Sequence, residues 1–125
     1  MVVLVATIRE EITNNKQTKF LKIMKKIEEK MCAAVAAGRW FKNTNTEVMA
    51  LSTGAVFVKL YDTIIYAKIG QNEFFCDGGY NTVTTSSRLR ALGANYSTNE
   101  KKNKCVLTPS SKMYNMYYNH LFSKI

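Results

Sequence analysis

The residues best suited to chemistry lie between Asp77 and Gly93, in the run Asp-Gly-Gly-Tyr-Asn-Thr-Val-Thr-Thr-Ser-Ser-Arg-Leu-Arg-Ala-Leu-Gly. Adjacent glycines mark a turn, since glycine takes positive φ at little steric cost. Any of Thr84 to Ser87 can cap a short helix, and Gly93 falls where a left-handed residue closes one. The free N–H groups of the first turn, the hydroxyls of Thr84, Thr85 and Ser86, and the guanidinium groups of Arg88 and Arg90 together suit an anion, phosphate above all. Tyr80 adds a ring that can stack on a base. A capped surface helix closing a sheet explains the same residues with no ligand at all.

A second set of cations lies upstream. Lys19, Lys22, Lys26 and Lys30 are spaced three and four apart, on one face of a helix, where they can follow a phosphate backbone or simply be solvated. Lys101 and Lys102, in a polar loop, extend this basic character. The chain holds 18 Lys+Arg against 9 Asp+Glu, a net charge of +9, which favours polyanionic partners. Trp40 and Phe41, between Arg39 and Lys42, read either as anchors on the core or, for Trp40, as a stacking ring flanked by cations.

Other chemistry is poorly represented. His120 is the only histidine, and no metalloprotease, nucleotide-loop or hydrolase-elbow motif occurs. Cys32, Cys76, Cys105 and His120 lack the close pairs of a structural zinc site and read as buried, reduced thiols beside a structural histidine. Asp62 and Asp77 lie at turns, where turn formation explains them. The expectation is a protein that is not an enzyme and has no metal or cofactor.

The elements that must position these residues follow from periodicity. Thr7 to Glu10 has capping-box form. From Gln17 on, Phe20, Ile23, Met24, Ile27, Met31, Ala34 and Val35 form one apolar stripe, ended by Gly38. Four β-rich runs follow, Val48 to Leu51, Ala55 to Leu60, Thr63 to Ile69 and Glu73 to Cys76, with connections short enough to require antiparallel pairing. Alternation in Val56 to Leu60 leaves one face, with Phe57 and Lys59, open to water. Ala94 to Thr98 and Lys104 to Thr108 read as a hairpin. Pro109 with Ser110 and Ser111 opens a C-terminal helix whose inner stripe is Met113, Met116, Tyr117, His120 and Leu121, with Tyr114 and Tyr118 on a flank. The fold class is α+β: an antiparallel β-meander with a long N-terminal helix packed on it, a short helix after the Thr-rich turn, and a C-terminal helix. All 125 residues fit one domain. No run approaches the length of a membrane span, and the first residues lack the form of a signal peptide, so the expected location is cytoplasmic.

The pattern Gly79-Tyr80-x-Thr82-x-Thr84-Thr85-x-x-Arg88-Leu89 resembles a segment of many small phage and prokaryotic-virus proteins. There a β-meander runs into a Gly-aromatic-x-Thr stretch and then a helix carrying Arg. The resemblance covers about residues 54–108 and implies a viral origin. The basic charge, the hydroxyl-rich turn and the Met/Tyr helix raise three functional expectations. The first is nucleic-acid binding, DNA ahead of RNA, through phosphate contacts of low sequence specificity. The second is an anti-defence protein that binds a host protein or sequesters an anionic nucleotide. The third is a virion or assembly component that forms homo-oligomers through the C-terminal Met/Tyr helix.

Overall fold

The computed structural model describes residues 15–98 and 105–122, with side chains from residue 25 onward. The Thr7 to Glu10 capping box, Lys101, Lys102, and the side chains of Lys19 and Lys22 lie outside the described residues.

Helix α1 spans Asn15–Ala37. Met31, Ala34 and Val35, three and four apart, turn its apolar stripe to the sheet. Gly38 ends it at φ 65. The Gly38 N–H donates to the Val35 carbonyl (3.2 Å) and the Arg39 N–H to that of Ala34 (3.0 Å), the paired bonds of a Schellman cap.

Five strands follow: β1 (Phe41–Lys42), β2 (Thr46–Ala50), β3 (Val56–Leu60), β4 (Thr63–Ile69) and β5 (Asn72–Phe75). They pair antiparallel in chain order. The two-residue β1 is too short to leave a periodic signal. Val58 lies opposite Tyr66 and Lys59 opposite Ile64, so Ile65 is an extra residue on β4, a bulge. A regular pleat sends neighbours to opposite faces, but this bulge brings Ile65 and Tyr66 into the same core cluster.

Helices α2 (Val83–Ala91) and α3 (Ser110–Leu121) complete the α+β fold. On one face α1 packs over β1 and β2, with α2 beside it against β4, while α3 lies along β4 on the other face. Both faces are therefore covered, which corrects the expectation of a wet one. Phe57 is buried beneath α3, edge-on to Tyr117 with ring centroids 5.3 Å apart.

Two further local expectations are corrected. Residues 94–98 form no strand. Side-chain bonds hold them instead, with the Tyr96 hydroxyl donating to Asp77 Oδ2 (2.6 Å) and Asn81 Nδ2 donating to the Thr98 carbonyl (2.8 Å). Leu107 makes a single parallel bridge to Phe75, so this segment finishes at the β5 edge. Pro109 takes the cap position of α3 without a side-chain bond, and Ser110 and Ser111 lie inside the helix. Met113 and Met116 pack on the chain's own sheet, leaving Tyr118, Leu121 and Phe122 exposed.

Candidate functional site

The Gly78-Gly79 turn is fixed locally. Both glycines have positive φ, Asp77 Oδ1 accepts from the Gly79 N–H (2.9 Å), and the Tyr80 N–H donates to the Asp77 carbonyl (2.9 Å). A Cβ on Gly78 would overlap the Thr63 methyl, so any other residue there requires Thr63 to shift. Thr82, not a residue of the 84–87 run, caps α2: its Oγ1 accepts from the Thr85 N–H (3.2 Å).

That cap position puts the expected anion-binding residues inside the helix, and packing decides where they point. Thr85 and Ser86 are buried, and Arg88 is 1% exposed. The Arg88 guanidinium sits between three elements, with Nη1 donating to Glu28 Oε2 at 2.9 Å and Nε to Thr46 Oγ1 at 3.2 Å. Ser87 also donates to Glu28. A buried cation has to be paired and hydrogen-bonded, and here Glu28 on α1 and Thr46 on β2 do both. The expectation that Thr85, Ser86 and Arg88 form a phosphate-binding surface is thus corrected. Arg90 is exposed, but its Nη1 is engaged by Ser86 Oγ and by the Tyr96 carbonyl (3.3 Å). Thr84 is half-buried, whereas Tyr80 stands 62% exposed at the turn.

The lysine face lies elsewhere. Glu28 contacts Ser87 and Arg88, and Cys32 Sγ donates to the Ala91 carbonyl (3.3 Å), so this line of α1 meets α2 and the two helices run parallel. With 3.6 residues per turn, Lys26 and Lys30 lie about half a turn round α1 from that line, and both are exposed. Because α2 stands on the β4 side of α1, they look over the β1 edge. Arg39, Trp40 and Lys42 are exposed along that same edge. Phe41 packs on the core, but Trp40 is 57% exposed. Among the described residues, Lys26 and Lys30 lie away from the hydroxyl-rich helix, and Arg39 and Lys42 are exposed near the same β1 edge.

Between the β3–β4 turn and the Gly78-Gly79 turn lies a cleft of about 280 Å³. Leu60 and Ile65 give it apolar lining; Thr63, Thr82 and Thr85 bring hydroxyls; Asp62 and Asp77 bring carboxylates; Tyr61 and Tyr80 bring rings. No lysine or arginine lines it. Tyr61 has φ 54, the one positive φ among the described non-glycine residues. It holds the first central position of a two-residue hairpin turn, where the β4–β5 hairpin has Gly70. The sequence marked Tyr61-Asp62 only as a turn; a bulky residue at a position that favours glycine becomes visible once the register is known.

The described thiols and the Tyr66 hydroxyl are held back from reactivity. Burial pushes the Cys32, Cys76 and Cys105 thiols up from their ordinary value, so they stay protonated near neutrality. Burial, then its hydrogen bond to Glu73 (2.5 Å), pushes the Tyr66 hydroxyl well up. His120 Nδ1 lies 3.0 Å from Thr53 Oγ1. Among the described residues no group of three or more His, Cys, Asp or Glu is placed to hold a metal ion, and no helix is long and apolar enough to cross a membrane.

In comparisons with known proteins, no curated protein and no solved structure matches this chain. A family model, the Kyanoviridae Gp96 protein, matches residues 24–123. That span takes in the described core from α1 to α3, and the chain belongs to the Kyanoviridae Gp96 family of phage proteins.

Proposed function

We propose that this phage protein is a non-enzymatic nucleic-acid-binding protein that grips phosphates along its β1 flank. The observation that carries this reading is the exposure of Trp40 (57%) between Arg39 and Lys42, on the side of the molecule to which Lys26 and Lys30 turn. A large aromatic ring left in water beside cations is a stacking platform for an unpaired base, while the cations track the backbone. Single-stranded DNA is the favoured form, because bases in a duplex are already stacked. Phosphate contacts carry no sequence information, so specificity is low. An anionic nucleotide is not proposed for the Tyr80 turn, since Asp62 and Asp77 would repel it and no cation lines that cleft.

Titration of a fluorescent single-stranded oligonucleotide tests this. Trp40→Ala is expected to weaken binding by about 1–3 kcal/mol. Each of Lys26→Ala, Lys30→Ala and Lys42→Ala is expected to lower the slope of log K against log salt by about 1. Wild-type affinity and slope in all four variants, with folding intact, would remove the reading.

A further inference from the structure

The cleft beneath the Gly78-Gly79 turn has the opposite chemistry to the β1 flank, and the proposed nucleic-acid binding does not use it. We propose that it binds a small organic cation, a guanidinium group held against the Tyr61 and Tyr80 rings with Asp62 as its counter-charge.

Three features of the cleft lead there. The first is its aromatic wall: Tyr61 is 69% and Tyr80 62% exposed, and both line the same cavity. Aromatic faces attract cations through their quadrupole, more strongly when water is displaced, and Leu60 and Ile65 supply the apolar lining that displaces it. The second is charge. Asp77 is held in place by the Gly79 N–H and the Tyr96 hydroxyl. The Asp62 side chain is exposed at the rim, with the turn beneath it braced by the Tyr114 hydroxyl on its backbone carbonyl. No lysine or arginine lines the cavity to neutralise the pair. The third is size. About 280 Å³ lies at the lower end of small-molecule cavities, enough for a guanidinium on a short alkyl stem. The positive φ of Tyr61 fits this use: a glycine there would relax the turn and remove a ring from the cleft.

Isothermal titration with four probes tests the proposal. Propylguanidinium represents a free small molecule, and acetyl-argininamide a side chain carried on a protein. Acetyl-citrullinamide is the uncharged isostere of the latter, and AMP is an anion. Saturable binding of either guanidinium probe is expected, with acetyl-citrullinamide about tenfold weaker than acetyl-argininamide. Tighter propylguanidinium assigns the source to a free metabolite; tighter acetyl-argininamide assigns it to a partner's arginine. Tyr61→Ala and Asp62→Asn are each expected to weaken binding about fivefold, with thermal melting confirming that both variants fold. Three results would overturn the assignment: no guanidinium binding up to about 10 mM, equal binding of the citrulline isostere, or AMP binding, lost in Tyr61→Ala, that is tighter than that of both guanidinium probes. AMP binding that survives Tyr61→Ala belongs to the β1 flank, so the outcome for the cleft is independent of the oligonucleotide titration.

Discussion

At the scale of single residues, Arg88 shows how a functional-looking side chain becomes structural. Its guanidinium is closed in by Glu28 and Thr46, and the ion pair with Glu28 measures 2.9 Å. Removing one partner of such a pair strands the other charge away from water. Glu28→Gln is therefore expected to cost about 3 kcal/mol, the low end for buried pairs because Glu28 keeps slight solvent contact. Urea unfolding with m unchanged is the measurement. Glu28→Leu combined with Arg88→Met should recover most of that loss, since apolar replacements of both partners are often neutral or better. Lys26→Ala, on the solvated face, should stay within about 0.5 kcal/mol of wild type.

At the scale of elements, the Gly78-Gly79 turn and the β4 bulge shape the cleft side of the molecule. The two glycines differ in what a side chain would meet: at Gly78 a Cβ runs into the Thr63 methyl, while at Gly79 nothing stands within 4 Å. Both have positive φ, so Gly79→Ala carries backbone strain alone, about 1 kcal/mol. Gly78→Ala adds a clash with β4 and should cost about 1–3 kcal/mol more. Melting curves of the two variants side by side check the order, and equal losses would show that Thr63 yields freely. The elements themselves were largely legible in the sequence. Periodicity gave α1 and its end at Gly38, and the β-branched runs between turn signals gave four of the five strands. The failures have local causes. Thr82 took the cap because its hydroxyl reaches the Thr85 N–H (3.2 Å), and residues 94–98 exchanged a ladder for the Tyr96 and Asn81 side-chain bonds.

Across the whole molecule, the same three layers that bury Arg88 also hold back the acidic thiol and phenol groups. The thiols of Cys32, Cys76 and Cys105 are raised from 9.0, and the hydroxyls of Tyr66, Tyr114 and Tyr117 from 10.0, burial being the largest cause in each. Each group ionises more readily in the unfolded chain, so the unfolded state loses protons first as pH rises. Their contribution to stability is complete below the unfolded values and falls as pH climbs through 9.0 and then 10.0 toward the folded ones. Melting temperature should accordingly decline above about pH 9, and Tyr66→Phe should flatten the decline; a pH series of thermal melts reads both.

The sequence by itself determined the helices, four of the five strands and the basic excess, because capping, turns and amphipathic spacing act over a few neighbouring residues. Only the tertiary structure decided which polar groups face water. Arg88 and Glu28 are 60 residues apart in the chain, and nothing near Arg88 in sequence announces a carboxylate waiting on another helix. Trp40 is the converse case. Its ring type suggests a core anchor, yet the β1 edge leaves it exposed, since exposure depends on what the rest of the chain places over a residue.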